Sequence, residues 1–290
     1  MRAGHSDNCA NARAGIGLAL GGGFARGLAH LGVLQVLEQS HVPIACLAGT
    51  SVGSILGAAY ASGVPLARII HVCRSIHFRD FAKWRVSRLG LASNERLGDL
   101  VENLFYAKTF EELHVPMAIV ATDLGTGEPA VFTRGPLAVA IRASCAFPGL
   151  FEPVEIGTRC LADGGLVAPV PTHAARELGA ACVVGVNVGL DDGRRIHPSN
   201  LFQVVSRAVS AAQKHQIEGW ERQADLVLRP EVSGIGWDEF GRADEAIAAG
   251  AAVARQALPR PWRMMEWAAQ RVAEADHESA HKPVVMDLPL

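Results

Sequence analysis

The apolar positions of this chain fall into short unbroken runs that alternate with stretches of helical spacing. Ile16-Gly17-Leu18-Ala19-Leu20 predicts a short buried strand, and Leu28, Leu31, Leu34 and Leu37, with Val33 and Val36 beside them, predict a helix after it. Ile44-Ala45-Cys46-Leu47-Ala48 is a second buried run, followed by the helix-like Ser54-Ile55-Leu56-Gly57-Ala58-Ala59-Tyr60. Thr158 to Ala162 has the length of a strand, Pro171 to Leu178 reads as a helix and Cys182 to Val188 as a buried strand. Asn200 to Gln223 reads as a long helix and Leu226 to Arg229 as a strand, with helical segments near 242–257 and 262–275. Such alternation argues a mostly parallel sheet covered on both faces, a three-layer α/β/α sandwich. One domain is expected over 14–275, with 1–13 and 276–290 as flexible termini.

The breaks between runs carry the chemistry. Ser51 sits in Gly49-Thr50-Ser51-Val52-Gly53, between an apolar run and a helix-like stretch. A serine on a tight strand-to-helix turn needs small neighbours two residues to either side, because the backbone there is strained and passes close to the next element. Gly49 and Gly53 supply that room, and the helix N-terminus sets a positive dipole under the oxygen. The pattern alone is weak in a chain with 30 glycines, and the strand before and helix after strengthen it.

Gly21-Gly22-Gly23-Phe24-Ala25-Arg26-Gly27 joins the first strand to the first helix. A glycine loop in that position leaves backbone N–H groups pointing into one concavity, which stabilises an anion. The anion is either a bound phosphate or an oxyanion that develops during acyl transfer. Gly21, Gly23 and Arg26 miss the dinucleotide fingerprint at its third glycine, and no Gly-Lys-Ser or Gly-Lys-Thr follows. The oxyanion fits better beside an elbow serine, and a plain glycine-rich turn is its bland competitor. Asp163-Gly164-Gly165 sets a carboxylate at a strand end, but Asp-Gly is also a common hairpin signal and by itself reads as structure.

Taken together, Gly-Gly-Gly-x-x-Arg-Gly at 21–27, Gly-x-Ser-x-Gly at 49–53 and Asp-Gly-Gly at 163–165 resemble the patatin-like phospholipase family in order and spacing. Pro116 to Leu124 with Thr126-Gly127-Glu128 looks like that family's central strand and hairpin, and Ala143 to Pro153 like its segment leading to the aspartate strand. The likeness covers residue 16 to about 190. One departure is Ala168 before Pro169, where many relatives carry asparagine. The resemblance implies a Ser51–Asp163 dyad, with Asp163 as general base, Ser51 as nucleophile and the Gly21, Gly22 and Gly23 amides as oxyanion hole. Arg26, with Gly27, is expected to brace that loop rather than touch substrate. Lipid acyl esters are the implied substrates, with phospholipase A or lysophospholipase activity, and no metal and no cofactor is implied.

Three alternatives stay open. An acyltransferase would pass the same Ser51 acyl group to an alcohol or thiol. A non-catalytic member would have lost the dyad, and Ser51 and Asp163 are both present. An α/β-hydrolase triad would run Ser51, Asp163 and one of His173, His197 or His215. That order is cheap among 11 histidines, and His173 and His215 sit in helical patterns.

Composition narrows the setting. With 49% hydrophobic and 19% charged residues in 290, the chain can bury a full core. A net charge of -2 points to no nucleic-acid partner. Cys9, Cys46, Cys73, Cys145, Cys160 and Cys182 are scattered without a Cys-x-x-Cys pair, which argues reduced packing residues rather than a disulfide frame. The N-terminus lacks a signal-like apolar core, and no run reaches ~18 apolar residues, so a cytoplasmic protein is expected. Residues 74–88 combine five basic side chains with Phe78, Phe81 and Trp84. They read either as a rim that touches anionic headgroups at a membrane surface or as an amphipathic helix packing its aromatics inward. Oligomeric state has no signature in the sequence.

Overall fold

The computed structural model describes residues 15–84, 87–189 and 197–260. The expected termini and the expected helix over 262–275 lie outside them, as does Arg85. The chain runs β1 (Ile16–Leu20), α1 (Ala29–Gln39), β2 (Ile44–Thr50), α2 (Val52–Ala61), α3 (Leu66–Ser75), α4 (Phe78–Phe81), β3 (Lys83–Trp84), β4 (Ala92–Ser93) and α5 (Glu95–Leu104). It continues through β5 (Met117–Asp123), β6 (Pro129–Phe132), α6 (Leu137–Ser144), β7 (Val154–Ile156), β8 (Arg159–Asp163), α7 (Thr172–Glu177), β9 (Val183–Val186), α8 (Leu201–Glu221), β10 (Leu226–Leu228) and α9 (Ala243–Ala257). The main sheet has the order β10-β9-β1-β2-β5-β8-β7, and β6 also pairs with β5. Strands β10, β9, β1, β2 and β5 are parallel, while β6, β8 and β7 add antiparallel pairs at the β5 end.

Period-two alternation along the buried strands builds the layers. Leu18, Leu20, Leu47, Ile119 and Val184 join one core with Leu31 and Leu34 of α1, Leu56 of α2 and Ala251 of α9. The intervening Ala19, Cys46, Ala48, Ala118 and Val183 face the other way, against Ala174 and Ala175 of α7 and Trp220 of α8. Large side chains on one face and small ones on the other let α7 approach closely. A Cβ on Gly17 would come 2.4 Å from the Ala180 Cβ. Helices α1 and α9 cross in direct backbone contact, since a Cβ on Gly250 would lie 1.9 Å from Ala29 O and one on Gly32 1.9 Å from Ile247 O.

Residues 74–88 depart from a single amphipathic helix. Helix α3 ends at Ser75, and Ile76 and His77 are extended. The Asp80 carboxylate accepts the His77 N–H at 2.7 Å, a capping contact that starts a new turn instead of continuing the old one. Phe78 and Phe81 turn inward while Trp84 stays 65% exposed. No helix of the described residues is long and apolar enough to cross a membrane.

Candidate active site

Strand β5 aligns the two motifs. Its Val120 is paired with Thr50 at the end of β2, and the next residue, Ala121, is paired with Asp163 at the end of β8. The sheet register thus brings residues more than a hundred positions apart to the same level, one step before the Ser51 turn. Thr122 Oγ1 donates to Asp163 O at 2.8 Å and anchors the aspartate backbone.

Ser51 takes φ 53° and ψ -125°, a left-handed conformation that costs a non-glycine residue energy and persists only where surroundings impose it. The Ser51 N–H donates to Ser144 Oγ at 2.8 Å, and that hydroxyl donates to Val120 O at 2.6 Å. Ser54 Oγ donates to Ser51 O at 2.6 Å as α2 begins. The two flanking glycines are required sterically: a Cβ on Gly53 would lie 2.1 Å from Leu20 O, and one on Gly49 2.6 Å from Ser54 Cα. Ser51 is 8% exposed and Asp163 5% exposed.

Burial pushes the Asp163 carboxyl up to about 6, opposed by the Gly165 N–H that it accepts at 2.8 Å and by the Ser51 side chain. A base whose pKa lies near neutrality can both take and return a proton. Burial, and then the neighbouring Asp163 charge, push the Cys145 thiol well above its ordinary range, so it stays protonated and is no rival nucleophile. The loop after Asp163 hangs from α8, because Gln213 Nε2 donates to Gly165 O and Gln216 Nε2 to Leu166 O, each at 2.8 Å. Ala168 needs no side-chain bond there, since its carbonyl accepts from Thr50 Oγ1 at 2.9 Å and its N–H donates to Gly164 O at 2.8 Å.

The glycine loop lies against the elbow, and a Cβ on Gly22 would come 3.3 Å from Ser51 Cβ. Two of the three amides expected to receive an oxyanion are already committed. Gly21 N–H donates to Val186 O and Gly22 N–H to Pro169 O, both at 3.1 Å. Among the described residues the Gly23 and Phe24 N–H groups donate to no protein acceptor, which moves the candidate donors one residue along. Gly21 and Gly22 still follow the end of β1, where β9 and the Pro169 segment accept from their amides. Phe24 has φ 52°, and its ring is held by Phe147 at 5.2 Å and Trp237 at 5.4 Å. Arg26 Nε donates to Ile235 O at 2.7 Å and its Nη1 to Gly189 O at 3.0 Å, so the guanidinium braces the loop. Gly27 admits Val52, whose Cγ1 would be 2.2 Å from a Cβ there.

A small cavity has Gly22, Gly23, Phe24, Ser51, Asp163 and Gln213 on its wall. Ser51 and Phe24 also border a second, larger cavity lined by apolar side chains such as Leu28, Ile55, Leu97 and Phe240. His173, His197 and His215 line neither, and all three are exposed, His173 facing Glu177 at 3.3 Å. Sequence reasoning missed Ser144 and Gln213, whose contacts reach across the fold and leave no local pattern.

Comparison with known proteins identifies the family and the fold. The sequence model of the patatin-like phospholipase family matches residues 18–176, more than half of the chain. An uncharacterized NTE family protein of Mycobacterium tuberculosis is 38% identical over 178 residues, covering 60% of this chain and 47% of its own. A second from the same organism is 30% identical over 273 residues, 84% of this chain and 46% of its own. The lysophospholipase nte1 of Aspergillus fumigatus is 26% identical over 279 residues, 84% of this chain and 18% of its own. The chain therefore spans about half the length of the mycobacterial relatives. In three dimensions it is similar to VipD from Legionella pneumophila, with a TM-score of 0.53 at 12% identity over 86% of this chain and 67% of that one, a likeness of fold. By sequence match and by architecture, the chain belongs to the patatin-like phospholipase family.

Proposed function

We propose that this chain is a serine acyl hydrolase that cleaves carboxylic esters of lipids through Ser51 and Asp163. One observation carries the reading: a single cavity has Ser51, Asp163, Gly23 and Phe24 on its wall and shares Ser51 with a larger apolar cavity. An acyl chain would lie among Leu28, Ile55, Leu97 and Phe240, with its carbonyl carbon at the Ser51 hydroxyl.

In that pose the Ser51 hydroxyl gives its proton to Asp163 and adds to the carbonyl carbon. The oxyanion receives hydrogen bonds from Gly23 and Phe24 N–H, and loss of one such donor typically costs ~3 kcal/mol of transition-state stabilisation. Collapse expels the alcohol, which takes the proton back from Asp163. Water then gives a proton to the same carboxylate, attacks the Ser51 ester, and a second collapse frees the acid and restores the serine. Phospholipids and lysophospholipids are the substrates that fit best, in keeping with the lysophospholipase name of the Aspergillus fumigatus relative.

Contact with the lipid would be peripheral. Trp84, Leu89 and Leu91 are exposed beside exposed Arg79, Lys83 and Arg88. Trp84 leads inward through Phe78 at 6.2 Å and Trp237 at 5.6 Å from it to Phe24 at the cavity. Apolar side chains interleaved with basic ones bind anionic surfaces by insertion plus charge attraction.

A fluorophosphonate probe tests the nucleophile. Ser51→Ala should lose both labelling and hydrolysis of a panel of lysophospholipids and short-chain esters while keeping its thermal unfolding. Persistent labelling of another serine would sink the assignment.

A further inference from the structure

His30 is the second residue of α1, is fully buried, and takes no part in the proton transfers between Ser51 and Asp163. Its Nε2 lies 2.8 Å from Gly21 O. A carbonyl only accepts, so Nε2 carries a proton and donates. Burial pushes the imidazole down to about 4, against a smaller upward pull from that hydrogen bond, so near neutral pH the ring is uncharged and its one proton is committed to Gly21. Nδ1 is then a buried acceptor without a partner among the described residues. Leaving such a group buried and unpaired is destabilising, a cost that leucine at this position would not incur. Packing alone therefore gives no reason for an imidazole here.

What the bond holds is the peptide between Gly21 and Gly22. Its oxygen accepts from His30, and its N–H, on Gly22, donates to Pro169 O at 3.1 Å. The oxygen is also wedged against the elbow, 2.9 Å from where a Cβ on Gly53 would sit. The next two N–H groups along the chain are those of Gly23 and Phe24. Three successive glycines have the widest backbone freedom of any tripeptide, so nothing local sets the direction of those amides. A clamp on the preceding peptide does.

We propose that His30 is a positioning residue: its Nε2–H fixes the Gly21–Gly22 peptide and so aims the Gly23 and Phe24 amides at the oxyanion. The inference rests on the reading of Ser51 as nucleophile. Oxyanion donors work only when preorganised, and a misplacement of about 1 Å can cost on the order of 10² in rate.

Three variants test it. His30→Gln keeps an N–H within reach of the Nε2 position, His30→Asn is one bond shorter, and His30→Leu has no donor and no orphaned acceptor. In His30→Asn and His30→Leu, kcat for a soluble short-chain ester should fall roughly 10–100-fold with KM within about threefold, and His30→Gln should recover most of it. Hydrogen exchange of the segment 16–28, read by mass spectrometry, should quicken in the first two and not in His30→Gln. Folded His30→Asn with wild-type kcat and exchange, or His30→Gln no better than His30→Asn, would overturn the proposal. If His30→Leu does not fold, the Gln and Asn pair decides. If the wild-type chain neither hydrolyses esters nor labels at Ser51, the acyl hydrolase reading fails, and exchange alone still decides whether His30 clamps the loop.

Discussion

Replacing Asp163 by asparagine separates the two consequences of burying a carboxylate where a base is needed. The side chain keeps nearly its shape, and its oxygen still accepts from Gly165 N–H. Activity should fall roughly 10²–10⁴-fold, the usual contribution of a general base. Stability should move the other way. Burial raises the carboxyl from 3.8 to about 6, which at 1.36 kcal/mol per tenfold change corresponds to about 3 kcal/mol. The sign follows from proton binding: between 3.8 and 6 the folded chain holds the proton more tightly than the unfolded one, so stability falls as pH rises through that window. Above about 6 the full cost of a buried charge is present, and asparagine removes it. At an unfolding entropy of roughly 2.1 cal/mol/K per residue, 3 kcal/mol is about 5 °C in Tm for a chain of this size. Differential scanning calorimetry at pH 8 and pH 4 checks this, with the gain expected at pH 8 and mostly gone at pH 4. An Asp163→Asn protein no more stable than wild type at pH 8, or equally stabilised at both pH values, would refute the buried-charge reasoning. A variant that retains activity would refute the base.

The remaining predictions follow from the same geometry. Because Asp163 must be ionised to accept a proton, kcat/KM for a soluble ester should rise with pH through about 6, measured on initial rates at low substrate. His173→Ala, His197→Ala and His215→Ala should each keep most of the hydrolysis rate, since none of the three lines the cavity; one indispensable imidazole would restore the triad. Gly250→Ala, which in an exposed helix gains up to about 1 kcal/mol, should here destabilise by roughly 1–3 kcal/mol in urea unfolding, because its methyl meets Ala29 O. Charge reversal at Arg79, Lys83 and Arg88 together with Trp84→Ala should weaken sedimentation with anionic vesicles, and remove its salt sensitivity, without changing soluble ester hydrolysis.

The strands and helices were readable where one side chain's neighbours in sequence are also its neighbours in space. The run Ile16–Leu20 became β1, the run from Ile44 became β2, and the helical spacing of Leu28 to Leu37 became the end of a 3-10 turn over Phe24–Leu28 followed by α1. The 74–88 window was not readable, because its outcome turned on a contact between His77 and Asp80 that starts a new turn, and on Phe151 stacking and Trp237 packing edge-on against Phe78 from distant segments. The glycine loop was half readable. Its position beside Ser51 followed from the motifs, but which amides remain free depended on Val186 and Pro169, whose carbonyls reach Gly21 and Gly22 from elsewhere in the chain.

By itself, the sequence determined the elements and the chemistry they carry: a serine between two glycines at a strand-to-helix turn, a glycine loop, and an aspartate at a strand end. Each is a local requirement, since φ near +53° at Ser51 and a Cβ clash at Gly53 are decided within a few residues and one adjacent backbone. Only the tertiary structure decided how these parts act on one another. Pairing of Thr50 and Asp163 with successive residues of β5 brings Ser51 and the Asp163 carboxylate together, burial lifts Asp163 to about 6, and His30 reaches Gly21 from the following helix. Register, desolvation and hydrogen bonds between separate elements are properties of packed neighbours, and no stretch of chain specifies its neighbours until the sheet has formed.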